Sequence, residues 1–226
     1  MSPETTDVET FRSGGVPVSV EWFPASRSLA TERYPAVLML HGADGLTMRG
    51  GEYRAAARAI AAGGCHVALL HYLDRTRERW ASLATIQNNF RPWMDTLSDA
   101  ITWLQKHPGV DPQRIGLIGI SLGAALSLAT AGHDNRIKAM VDYFGPMPPG
   151  FERTTRFPPT LILHGAADPI VPVANAYAVE TVLKNLGVPH EIMVYPGQGH
   201  VLYGEAQEDA ERRVTAFLER YLEPQS

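Results

Sequence analysis

A single cysteine, Cys65, is all the thiol the sequence holds. No intrachain disulfide can form, which fits a reducing compartment, and no paired-cysteine metal site is available. Charge is sparse and nearly balanced, with 20 Lys and Arg against 24 Asp and Glu for a net charge of −4. Such a surface calls for neither nucleic acid nor an anionic membrane as partner. No apolar run approaches the length that spans a bilayer. The first 15 residues are acidic and polar, with no basic start and no apolar stretch, so they do not read as a signal peptide. They read as a loose leader ahead of one α/β domain over residues 16–226. The H-E-x-x-H and G-x-x-x-x-G-K-[ST] patterns are missing too, and with them the common zinc-helix and phosphate-loop signatures. The expectation is a cytoplasmic domain that works without metal or cofactor.

What is present is a regular alternation of short apolar runs and helical patterns. Strands are expected over Val16–Phe23, Ala36–Leu40, Cys65–Leu70, Arg114–Ile120, Lys138–Phe144, Thr160–Leu163 and His190–Tyr195. Helices are expected over Glu52–Ala62, from a first turn at Pro92 to about His107, over Leu122–Ala131, Val173–Leu186 and Gln207–Leu222. Ser26–Arg33 reads as a polar connection and Asp74–Arg79 as a charged loop. Gly145–Pro159, with five prolines and two glycines, reads as an irregular excursion over the site. This alternation implies a mostly parallel sheet covered by helices on both faces, with the ligand at the carboxyl ends of the strands.

The chain is organised around Gly119-Ile120-Ser121-Leu122-Gly123. This G-x-S-x-G pattern is the nucleophile elbow, a strand that turns sharply into a helix and exposes a serine hydroxyl at the bend. The short motif gains weight from its setting, a β-run directly before and a helix pattern directly after. A serine hydroxyl needs a base within hydrogen-bond reach, and the base needs a carboxylate to fix its tautomer. The chain order that goes with this elbow is Ser, then acid, then His. Asp168, in the loop His164-Gly165-Ala166-Ala167-Asp168-Pro169, and His200, after Gly197-Gln198-Gly199, fit that order. Each follows a different strand. Ser121, Asp168 and His200 are therefore the candidate triad, with Asp142 as the second choice of acid. The oxyanion donors expected are the backbone N–H of Leu122, just after the serine, and that of Ala43 in the glycine-punctuated loop after the Ala36–Leu40 strand. His41 and His164 read as supports for their loops. Trp80, Trp93, Tyr72, Phe144 and Met147 are candidate pocket residues, although aromatic side chains of this kind more often simply fill a core.

With these residues in hand, the chain resembles the dienelactone hydrolase family of the α/β-hydrolase superfamily, from the first strand to Leu222. The resemblance rests on the G-x-S-x-G-A segment, on His164-Gly165-x-x-Asp168-Pro169 and on the glycine-flanked His200. It implies an α/β-hydrolase fold of about eight strands with no separate lid domain, an esterase-type reaction, no cofactor, and Ala43 and Leu122 as oxyanion donors. It also implies that Arg75 matches one of two arginines with which the family grips a substrate carboxylate. The founding pattern has a cysteine nucleophile and a glutamate where this chain has Ser121 and Gly42, and Gly204 stands where the second arginine is expected. A hydrolase of small carboxylic esters or lactones is the leading reading. Dienelactone hydrolysis proper is the alternative, and a non-catalytic binding protein of the same fold ranks below both.

Overall fold

The computed structural model describes residues 7–26 and 32–222. Among these residues eight strands form one sheet in the order β1-β2-β4-β3-β5-β6-β7-β8. They are β1 (Asp7–Ser13), β2 (Val16–Phe23), β3 (Tyr34–Leu40), β4 (His66–Leu70), β5 (Val110–Ile120), β6 (Ile137–Tyr143), β7 (Thr160–Gly165) and β8 (His190–Tyr195). The pairs from β4 through β3 to β8 are parallel, while β1 and β2 add an antiparallel edge. The α-helices among the described residues are α1 (Gly50–Ala62), α2 (Leu83–Lys106), α3 (Leu122–Ala131), α4 (Ala174–Asn185) and α5 (Glu205–Leu222).

The central strands are apolar on both faces because both are covered, as parallel sheets require. Along β3, Ala36, Leu38 and Leu40 face the layer of α2, α3 and α4. Val37 and Met39, the alternate residues, face the layer of α1 and α5. The same two-residue period divides β4, β5 and β7 between the two cores. The α/β-hydrolase architecture expected from the sequence is present.

Three local expectations need correction. Residues 7–13 are not a loose leader: they form β1, paired with β2 from Asp7↔Trp22 to Ser13↔Val16. Residues 1–6 lie outside the described part of the chain, as do residues 27–31 of the polar connection. Helix α2 begins at Leu83, not at Pro92, which lies inside it. Ser82 caps it by accepting from the Thr85 N–H at 3.1 Å. The buried face made by Trp93, Leu97, Ala100, Ile101 and Leu104 holds the remainder against the sheet. The charged loop begins with a 3-10 turn, Tyr72–Thr76. The Gly145–Pro159 excursion is irregular as expected, apart from a short 3-10 turn at Phe151–Arg153. Its Phe151 is buried in the α2–α3–α4 core, and its Thr154 meets Gly132 just past the end of α3.

Candidate active site

Strand β5 ends at Ile120 and α3 starts at Leu122, so Ser121 alone makes the turn. Its backbone sits at φ 54°, ψ −116°, a region that L-residues avoid at a cost of about 1–3 kcal/mol. The flanking glycines are steric necessities. A Cβ on Gly119 would stand 2.4 Å from the Ala124 Cα, and one on Gly123 would stand 2.6 Å from the carbonyl oxygens of Leu40 and His41. Without side chains at those positions, α3 presses onto β5 and onto the end of β3, and the strained serine is held between them.

The other candidate groups arrive from the β7 and β8 loops. Asp168 Oδ1 accepts from the N–H of Ile170 at 2.8 Å and of Val171 at 2.9 Å. Its other oxygen, Oδ2, lies 2.7 Å from His200 Nδ1. His200 Nε2 lies 2.9 Å from Ser121 Oγ. With the carboxylate accepting from Nδ1–H, Nε2 is left to accept the serine proton. Burial works to raise the Asp168 carboxyl, but the His200 hydrogen bond and the two backbone donors outweigh it and hold it below its ordinary value. The loops can meet because Gly165 has no side chain: a Cβ there would stand 2.1 Å from the Gly199 carbonyl oxygen. Phe144, at φ 56°, sets its ring 5.4 Å from that of His200 and backs the imidazole.

The loop after β3 passes the serine at Gly42, where a Cβ would stand 3.5 Å from the Ser121 Cβ, and runs on into Ala43. Its carbonyl accepts from the Ala81 N–H at 2.7 Å, which ties it to the segment before α2. Neither the Ala43 N–H nor the Leu122 N–H has a protein acceptor among the described residues; Leu122 is the first residue of its helix, where amides have no intrahelical partner. Two buried tyrosines hold the loop. The Tyr72 hydroxyl donates toward His41 O at 3.1 Å and Gly42 O at 3.3 Å. The Tyr53 hydroxyl accepts from the Gly42 N–H at 3.0 Å and donates to Asp44 Oδ1 at 3.2 Å. Desolvation lowers His41 to about 4, so its ring is neutral near pH 7 and Nδ1–H donates to Gly42 O at 2.8 Å.

Other sequence candidates fall elsewhere. The Arg75 guanidinium lies against Gly14, in the β1–β2 turn at the far edge of the sheet. In the sheet order β2, β4 and β3 stand between the edge strand β1 and β5, which leads into Ser121. Asp142 is fully buried, accepts from the Gly145 N–H at 2.8 Å, and makes no hydrogen bond to His200. Trp93 and Tyr72 are core residues with no exposed surface, whereas Trp80 is 61% exposed beside the Ala43 loop. His164 supports its loop as expected, with Nε2 donating to Val171 O at 2.8 Å. The loop-holding roles of Tyr53 and Tyr72 were not legible in the sequence, since each reads there as an ordinary apolar-face residue. Among the described residues no acidic, histidine or cysteine cluster could hold a metal ion, and no helix is long and apolar enough to cross a membrane.

Known proteins share both the sequence pattern and the fold. A thiohydrolase of Arthrinium phaeospermum is 39% identical over 101 residues, which is 44% of this chain and 32% of that protein. A putative carboxymethylenebutenolidase of Synechocystis is 27% identical over 147 residues, 57% of this chain and 59% of its own length. The chain thus spans from a third to three fifths of the length of these relatives. The crystal structure of a putative dienelactone hydrolase from Klebsiella pneumoniae superposes with a TM-score of 0.82 at 18% identity, covering 96% of this chain and 99% of the other. The model of the dienelactone hydrolase family matches residues 23–222, and the chain belongs to that family.

Proposed function

We propose that the protein is a serine hydrolase that cleaves carboxylic esters or lactones of small molecules through an acyl-enzyme on Ser121. The observation that carries this reading is the unbroken relay from Ser121 Oγ to His200 Nε2 at 2.9 Å and from His200 Nδ1 to Asp168 Oδ2 at 2.7 Å. In the first half-reaction His200 takes the serine proton as Oγ attacks the carbonyl carbon. The oxygen of the tetrahedral intermediate is met by the N–H groups of Ala43 and Leu122. His200 then returns the proton to the departing alkoxide, and the alcohol leaves. In the second half, water gives a proton to His200 and attacks the acyl carbon. Collapse returns that proton to Ser121 and frees the acid.

The names of two relatives, a thiohydrolase and a putative carboxymethylenebutenolidase, are in keeping with a hydrolase. The placement of Arg75 against Gly14 and the glycine at position 204 favour a broad ester substrate over an anionic lactone. The single, buried Cys65 fits a cytoplasmic setting. The experiment is release of nitrophenol from short acyl esters by the wild type and by Ser121→Ala. Loss of turnover in the variant, together with a phosphonate adduct on Ser121 of the wild type, is expected. Undiminished turnover in Ser121→Ala overturns the reading.

A further inference from the structure

Helices α1 and α5 cover one face of the sheet but stand apart, and a cavity of about 500 Å³ lies between them. Its origin is in the sequence. The side of α1 that looks toward α5 carries Ala55, Ala56 and Ala59, and α5 presents Ala210. Side chains this small cannot bridge two helices that larger residues would bring into contact. The floor is apolar, built from Met39, Ile118 and Ile120 of β3 and β5. Ile120 remains half-buried despite its central strand because the cavity reaches it. The volume lies in the range of small-ligand sites.

The polar groups in the cleft narrow its occupant. Tyr143, at the end of β6, lines it, and the Tyr143 hydroxyl has no hydrogen-bond partner among the described residues. At the mouth, Arg49 is already committed to Glu52, through Nε at 2.9 Å and a second guanidinium nitrogen at 2.5 Å. Glu211 adds a further carboxylate there. Among the described residues lining it, the mouth therefore offers no free cation to an anionic head group, while the interior offers a hydroxyl to a neutral one. Neither Ser121 nor His200 lines the cleft, although their neighbours Ile120 and Val201 do. It backs the ester site rather than forming part of it.

We propose that the cleft between α1 and α5 is a second binding site, separate from the ester site, for a neutral amphiphile with an alkyl body and a hydroxyl head. The test uses the neutral fluorophore N-phenyl-1-naphthylamine on the full chain, with 1-decanol and decanoate as competitors. Saturable fluorescence enhancement is expected, displaced by 1-decanol and at least about tenfold less well by decanoate. Ala59→Phe, which fills the cleft from a solvent-facing position, abolishes it; Ala56→Leu is the second blocking variant if the first does not fold. Tyr143→Phe weakens 1-decanol about fivefold, the scale of one hydrogen bond, and leaves the fluorophore unaffected. Protein phosphonylated at Ser121 binds the fluorophore as the free protein does. Absence of saturable binding, binding undiminished by the blocking variants, equal displacement by decanoate, or loss of binding on phosphonylation each overturns the proposal. If the phosphonate fails to react, it is the ester-hydrolase reading that falls, and the blocking variants still decide on the cleft.

Discussion

The ring of Tyr72 lies over the imidazole of His41, centroids 4.4 Å apart and planes 20° from parallel, and both side chains hydrogen-bond the carbonyl of Gly42. That carbonyl belongs to the same planar peptide as the Ala43 N–H, so fixing the oxygen fixes the direction of the amide on the other side of the bond. The aim of a proposed oxyanion donor is thus set by two side chains that do not themselves face the substrate.

Tyr72→Phe keeps the stacked ring and removes only the hydroxyl. We expect kcat on a short nitrophenyl ester to fall about tenfold, a fraction of what losing a direct donor costs, with KM changed less than twofold. Stability should drop by about 1–2 kcal/mol, as a buried carbonyl pair loses a donor. Steady-state kinetics and calorimetry read the two effects separately.

Replacing the serine by glycine should raise stability while ending catalysis. Position 121 sits at φ 54°, which glycine adopts without penalty, so Ser121→Gly is expected to gain about 1 kcal/mol over Ser121→Ala. Paired thermal melts of the two variants measure the difference.

Asp168→Asn should lower kcat by about 10⁴, because an amide facing Nδ1 favours the wrong imidazole tautomer. It should also change acid stability. Asp168 has a depressed value in the folded chain, so its carboxylate lends stability above the ordinary value that is lost as pH falls through the folded one. The wild type should therefore lose stability more steeply than the variant below about pH 4, as followed by denaturant unfolding at successive pH values.

Asp142 titrates in the opposite sense. Desolvation lifts it to about 7, against a weaker lowering effect of the Gly145 N–H. The protonated form is favoured in the fold, so its contribution is complete below the ordinary carboxyl range and is lost as pH rises toward 7. Asp142→Asn keeps an acceptor for Gly145 and removes the charge. It should match the wild type near pH 4 and exceed it by about 1–2 kcal/mol at pH 8, or about 3–6 °C in melting temperature.

The parts of this architecture that could be read from the residues were those with strong local chemistry. The β3 run Ala36–Leu40 and the β5 run into Ser121 are apolar without interruption because both faces are buried, and a strand with one face in water would alternate instead. The elbow glycines were legible because the steric demand they answer is local. What escaped was decided at a distance. Strand β1 has six exposed or half-exposed residues ahead of its one buried residue, Ser13, and is held by its register with β2. Pro92 marks a helix start by propensity, yet the Ser82 cap and the face beginning at Trp93 carry the helix across it. Arg75 matched a family position by sequence, but the 3-10 turn that carries it points its guanidinium at Gly14. The clamp of Tyr53 and Tyr72 depends on hydroxyls meeting backbone atoms 11 and 30 residues away.

The placement of the reactive groups on β5, β7 and β8 has a consequence for how the molecule comes into being. Ser121 is made midway through the chain, and its partner base follows 79 residues later. At about 5–20 residues per second the ribosome takes roughly 4–16 s to cover that interval. Throughout it, the nascent serine is an inert alcohol. On the proposed assignment the protein is born with its nucleophile disarmed, and the loop after the edge strand β8, synthesised after the other described strands, delivers the trigger.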